Sequence, residues 1–207
     1  MRSGHDSGLN NHNAPVLLGV TGASGSVYAL KFMELLQELG QEVHLIFSKT
    51  GEEVTRFEIG PGGLERMIGI AQAVYSEDEL WAPPASGSSL WRAMVVLPCT
   101  MGTLAQVAQG VSRNLIHRAC DCFLKEKRPL VLAIREAPFN IIHIKNMLSA
   151  AEAGATIYPC MPSFYHSPRD LEEMALFFAG RIMEFLGFKV PSLRRWKGRG
   201  TADIVQS

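Results

Sequence analysis

The sequence has no net charge: 20 Lys and Arg are matched by 20 Asp and Glu over 207 residues. A general nucleic-acid binder carries a basic excess, so that class is excluded, although local positive pockets are not. The sequence also lacks any Cys-x-x-Cys pair. Its four cysteines, Cys99, Cys120, Cys122 and Cys160, show no His/Cys spacing suited to a metal. With no secretory leader at the start, they are expected to be reduced thiols of a cytosolic protein, packed as small hydrophobes. There is no Asp-rich cluster, no internal repeat and no low-complexity tract. The longest uncharged stretch, residues 93–112, is broken by Pro98, Gly102 and Gly110, which excludes a spanning helix. Disorder over most of the chain is excluded by 47% apolar and only 19% charged residues. The length suits one domain with modest extensions.

What is present is an alternation. Residues 1–14 are polar and aperiodic and are expected to form a disordered tail; a single domain should span 15–190, followed by a basic arm over 191–207. Apolar runs at 16–20, 42–47, 93–97, 129–134 and 156–158 read as strands, the third ending at Pro98. Helical spacing appears at 26–39, 114–127, 141–153 and 171–186, with Gly40, Gly154 and Gly187 as stops. This pattern predicts a three-layer α/β fold, flavodoxin-like or Rossmann-like, with helices on both faces of a parallel sheet. Ligands of such sheets bind at the carboxyl ends of the strands, so the residues just after each strand carry the information.

The first strand runs into Gly19-Val-Thr-Gly-Ala-Ser-Gly25, a turn whose backbone N–H groups can approach a phosphate at a helix start. The spacing is not G-x-G-x-x-G, and Ser48-Lys49 after the second strand offers no carboxylate for a ribose. NAD is therefore disfavoured, while NADP, with Lys49 on the extra phosphate, or a mononucleotide such as FMN stays open. Pro98-Cys-Thr-Met-Gly-Thr103 adds a second polar rim, and both rims suit one flat phosphorylated ligand. Arg135-Glu136 closes another strand, where Glu136 can act as acid or base if burial moves its pKa. The small-residue loop 83–89 can form an anion nest or a plain connection. Arg118, Lys125, Tyr165 and Arg181 are scattered candidate phosphate partners. His44, His117, His143 and His166 show no metal spacing and read as structural.

Taken together, Gly-Val-Thr-Gly-Ala-Ser-Gly at 19–25, Pro-Pro-Ala-Ser-Gly-Ser at 83–88 and Pro-Cys-Thr-Met-Gly-Thr-Leu-Ala at 98–105 resemble the flavin prenyltransferases, the UbiX family of ubiquinone biosynthesis. Asn-Leu-Ile-His-Arg-Ala at 114–119, Arg-Glu-Ala-Pro-Phe at 135–139, His-Ile-Lys-Asn-Met at 143–147 and Phe-Tyr-His at 164–166 extend the resemblance over residues 16–196. It implies a homo-oligomer, a dodecamer with sites at subunit junctions. It also implies metal-independent transfer of a dimethylallyl group from dimethylallyl monophosphate to N5 and C6 of reduced FMN, the prenylated FMN serving a UbiD-type decarboxylase. By the same resemblance Gly22, Ala23, Ser24, Ser48, Thr100, Met101, Gly102, Thr103 and Arg135 bind FMN. Ser86, Gly87, Arg118, Lys125, Tyr165 and Arg181 surround the prenyl phosphate, and Ser24, Glu58 and Glu136 are catalytic. Apart from the resemblance, Trp196 is expected to close over a neighbouring site. Thr100 stands where many relatives have Ser, and Ile134 where Pro is common. The chemistry is consistent: without an Asp cluster to hold Mg²⁺ on a diphosphate, a leaving phosphate needs Arg, Lys and Tyr donors. An FMN-dependent decarboxylase of cysteine-type substrates and a non-catalytic FMN-binding protein are the alternatives. The former carries a Pro-x-Met-Asn-x-x-Met-Trp signature, where this chain has Pro138-Phe-Asn-Ile-Ile-His.

Overall fold

The computed structural model describes residues 13–191 and 193. The tail read over 1–14 and the arm read over 191–207, with Trp196, therefore fall almost wholly outside the described residues. Six parallel strands form one sheet: β1 (Val16–Val20), β2 (Val43–Phe47), β3 (Ala73–Ser76), β4 (Ala93–Cys99), β5 (Leu130–Ile134) and β6 (Thr156–Ile157). Their spatial order is β3-β2-β1-β4-β5-β6. Of the two doubly wound variants this is the Rossmann order, whose direction reverses between β1 and β4. The sheet is in register, with Val16 opposite Val43 and Ala93 and Val20 opposite Phe47.

Alternate residues of these strands face opposite ways. Val16, Leu18 and Val20 of β1, with Leu45 and Phe47 of β2, pack under α1 (Ser26–Glu38), α2 (Lys49–Ile70) and α6 (Leu171–Phe185). Leu17, Ile46, Met94 and Val96 face α3 (Met101–Ala108), α4 (Leu115–Lys125) and α5 (Ile141–Glu152). Two cores, one per face, make the three-layer sandwich. All of β1, β4 and β5 is buried, which is why these strands read as continuous apolar runs rather than as alternation.

Three elements depart from the sequence reading. The strand expected to stop at Pro98 continues to Cys99, with a register irregularity between Val96 and Cys99. Residues 49–70 are helical, in two segments that meet at a non-helical Gly60 followed by Pro61. A sixth strand, β3, edges the sheet beyond β2. No described helix is long and apolar enough to cross a membrane.

Candidate active site

Four helices begin where the strands end. The β1–α1 loop starts with Thr21, whose hydroxyl donates to the Pro98 carbonyl at 2.7 Å and accepts from the Thr100 N–H at 2.9 Å. One side chain thus ties the β1 loop to the β4 loop. Gly25 takes a left-handed φ of 119°, and a Cβ there would sit 2.9 Å from the Tyr28 ring. Only glycine turns the chain into α1 at that point. Ser48 caps α2 by accepting from the Gly51 N–H at 3.0 Å. Thr100 caps α3 by accepting from the Thr103 N–H at 3.1 Å and donates to the Thr103 hydroxyl at 3.0 Å. Asn114 caps α4 by accepting from the His117 N–H at 3.0 Å. Gly51 lets α2 start hard against β1, since a Cβ would run into the Val20 carbonyl oxygen.

The first three ends, with α4, enclose a hollow of about 360 Å³ lined by Gly22, Ser48, Thr100, Gly102, Thr103 and Arg113, among others. Convergent helix N-termini, hydroxyls and a guanidinium make an anion cradle. Two further wall atoms, Gln106 Oε1 and His117 Nδ1, are buried and make no hydrogen bond within the described protein. Orphaned polar atoms of this kind call for a partner, and both face the cradle wall. Burial lowers the His117 pKa, Glu77 opposing this and Arg113 adding to it, so the ring is neutral at pH 7 and free to donate or accept.

Beside the cradle, across the β1–α1 loop, lies a cavity of about 590 Å³ lined by Ser24, Tyr28, Glu58, Arg135 and Cys160, among others. Glu58, at the end of the first segment of α2, reaches back to the start of α1. Its carboxylate accepts from the Gly25 N–H at 2.9 Å and the Ser26 N–H at 2.8 Å. Partial burial raises its pKa, but hydrogen bonds from the Ser24 hydroxyl, from the Ser26 and Gly25 N–H groups and from the Ser26 hydroxyl outweigh it, leaving the pKa below the ordinary carboxyl value. Ser24, exposed, is therefore coupled to an ionised carboxylate in the cavity wall. Cys160 is pushed up to about 12 by burial, against the pull of Arg135, and stays a thiol.

Of the residues expected at an FMN, Gly22, Ser48, Thr100, Gly102 and Thr103 line the cradle, while Ser24 and Arg135 line the neighbouring cavity. Ala23, in the β1–α1 loop, and Met101, at the start of α3, are buried. The prenyl-phosphate candidates fall into two groups. Around the 83–89 loop, Arg118 donates to the Ala85 carbonyl at 3.1 Å and pairs with Asp121, Lys125 pairs with Glu126 at 3.2 Å, and Gly87 lies against both Lys125 and Glu126. Ser86 shares a 2.8 Å hydrogen bond with Ser88. Tyr165 and Arg181 stand apart, close enough to Tyr158 to influence its titration, and Arg181 pairs with Glu184. Arg135 and Glu136 are both exposed, so the burial on which the acid/base reading of Glu136 depended is not supplied by this chain alone; β5 ends there and the chain turns out toward solvent. Sequence reasoning included Thr21 only as part of the turn after β1, missed Glu77, Gln106 and Arg113, and gave His117 a structural role. No local signal marks Glu77, Gln106 or Arg113, because the fold brings them together from separate elements. Among the described residues no group of His, Cys, Asp or Glu could hold a metal ion.

Fold and site together define an α/β mononucleotide-binding protein. A family model described as Flavoprotein matches residues 5–176. A flavin prenyltransferase UbiX of Methanothermobacter thermautotrophicus is 40% identical over 186 residues, 89% of this chain and 96% of that protein. A crystal structure of AnUbiX in complex with FMN and dimethylallyl pyrophosphate superposes with a TM-score of 0.86 at 34% identity, covering 91% of this chain and all of the other. A dodecameric FMN-dependent UbiX-like decarboxylase from Escherichia coli O157:H7 superposes at 0.84 with 33% identity, covering 89% of this chain and all of the other. The chain belongs to the Flavoprotein family and, within it, to the flavin prenyltransferases of the UbiX type.

Proposed function

We propose that this chain binds reduced FMN in the cradle and cavity just described and transfers to it a dimethylallyl group from a dimethylallyl phosphate. The observation that carries the reading is the pairing of two hollows across one loop: an anion cradle with two orphaned polar atoms, and a cavity where Ser24, Glu58 and Arg135 converge. Reduced FMN, when bound, supplies the nucleophilic N5 and C6 positions that take the prenyl carbon atoms. The cradle residues Gly22, Ser48, Thr100, Gly102 and Thr103 would hold its phosphate and ribityl chain, with Ala23 and Met101 beside them. Arg135 would hold the far end of the flavin. Ser24, backed by the Glu58 carboxylate, is placed to take and return a proton at N5. Arg118, Lys125, Tyr165 and Arg181, with Ser86 and Gly87, would stabilise the charge that develops on the departing phosphate. Glu136 would deliver a proton to it.

Because those phosphate donors lie in two groups within one chain, we assign the complete site to neighbouring copies in a homo-oligomer. The dodecameric relative supports this. Phe57 on α2 and Ile141, Ile142 and Leu148 on α5 are exposed apolar side chains that such contacts would cover. The prenylated flavin would pass to a UbiD-type decarboxylase in the cytoplasm, and residues 15–190 would form the catalytic unit. The donor is assigned as the monophosphate, although a relative was crystallised with the pyrophosphate.

The deciding experiment is anaerobic incubation with FMN, a reductant and either dimethylallyl monophosphate or the diphosphate, followed by mass spectrometry of the extracted flavin. One added prenyl unit from the monophosphate is the expected result. Unmodified flavin with FMN demonstrably bound would overturn the prenyl-transfer reading and favour decarboxylation of a cysteine-type substrate.

A further inference from the structure

The Rossmann order β3-β2-β1-β4-β5-β6 places a second nucleotide half, where a protein binds one, beyond the carboxyl ends of β2 and β3. That place is present here. A hollow of about 410 Å³ is walled by Phe47, Ile68, Val74 and Tyr75, with Lys49, Glu52 and Asp78 among its charged lining. It adjoins the anion cradle: Ser48 and Glu77 line both. Its apolar walls could seat an adenine beside the phosphate cradle, but its charged lining, Glu52, Glu77 and Asp78 against Lys49, is acidic on balance. Glu77 stands where the two hollows adjoin. The Glu77 carboxylate accepts from the Lys49 N–H at 2.8 Å with one oxygen and from the Asn114 amide at 2.6 Å with the other. Its backbone carbonyl accepts from the Leu115 N–H at 2.7 Å. It is thus anchored at three points and occupies the start of α2, the backbone donor position that a second phosphate would otherwise take.

We propose that Glu77 is a specificity-determining residue that confines this site to a mononucleotide, excluding FAD and other flavin or nicotinamide dinucleotides. The proposal rests on the flavin site described above. An FMN phosphate ends in the cradle, on the near side of Glu77. A diphosphate has to continue past it, where it meets a fixed carboxylate of like charge and finds the helix start already satisfied. Discrimination between two ligands often rests on such a repulsive element. The sequence reading found no carboxylate after β2 and left NADP open; the carboxylate arrives instead from the end of β3, and it caps a helix.

The test is equilibrium binding of FMN and of FAD freed of FMN, followed by flavin fluorescence, in the full-length protein and in Glu77→Gln and Glu77→Ser. The wild type should favour FMN over FAD by about tenfold or more, the scale of one charge-assisted hydrogen bond gained or lost. Both neutral variants should narrow that preference by about tenfold, through tighter FAD binding. Glu77→Asp, which keeps the charge, should retain it. Equal affinity of the wild type for the two flavins overturns the proposal, whatever the variants do. So does an unchanged preference in a folded neutral variant. Failure of the wild type to bind FMN at all refutes the flavin site itself, a different result from either.

Discussion

Glu58 does two jobs that pull in one direction. As the acceptor for the Gly25 and Ser26 N–H groups it satisfies the start of α1, and as the partner of the Ser24 hydroxyl it tunes the cavity. Its pKa is lowered in the folded chain, so the unfolded chain binds the proton more readily. The stabilisation is therefore complete above the ordinary carboxyl pKa of 4.5 and is lost as the pH falls through the lower folded value. Glu58→Gln should flatten that acid limb in thermal melts between about pH 3 and 5. It should also cut prenyl transfer at least about tenfold while FMN remains bound, because removing a positioned proton-transfer partner costs at least that much. The two readouts separate capping from chemistry. His44 and His117 act at higher pH. Burial holds both below the ordinary 6.5, so folding disfavours their protonation. Stability should fall as the pH drops below 6.5, and replacing both by Gln should shallow the slope between about pH 5 and 7.

At the scale of elements, α2 decides the site. It starts against β1 through Gly51, presents Ser48 to the cradle and carries Glu58 to α1. Gly51→Ala pushes the helix off the Val20 carbonyl; overpacking of this kind costs about 1–3 kcal/mol. Chemical denaturation should register that loss, and FMN affinity should fall with it because Ser48 moves. This helix, like the short α3, was one that sequence patterning did not reveal. Only Gly51, Thr55, Leu64 and Met67 of its 22 residues are buried, too few for an apolar stripe, and Gly60-Pro-Gly-Gly63 reads as a break. The edge strand β3 was missed for a related reason. It is four residues long and only half-buried, without the continuous apolar run that marked β1, β4 and β5. By contrast α1, α4, α5 and α6 were legible within a residue or two, since capping residues and glycine stops bracket a clear periodicity. The cradle was legible where it follows strand ends. Glu77, Gln106 and His117 were not, because tertiary folding alone brings them to it.

At the scale of the whole molecule, the division of the phosphate donors has a direct consequence. If Arg118 and Lys125 of one copy work with Tyr165 and Arg181 of another, defects in the two groups complement each other. Lys125→Ala and Arg181→Ala should each lose most of their activity alone. Mixed oligomers of the two, reassembled at equal amounts, should recover a measurable share of wild-type turnover, since some junctions then hold an intact set. A site built within one chain gives no recovery. Size-exclusion chromatography with light scattering, run beside the assay, should find the active species far above 22.7 kDa.

The link that Thr21 makes between the loops after β1 and β4 bears on timing as well as shape. Its hydroxyl holds the two rims at a set separation through Pro98 and Thr100, so the cradle is assembled during folding and not when a ligand arrives. The ordering entropy that a loose loop would charge to binding has already been met. Capture of the flavin then approaches a rigid-body encounter, and its affinity is governed by how slowly it leaves. Cutting the tie with Thr21→Val should slow association as well as weaken binding, the kinetic mark of a receptor that must first find its own form.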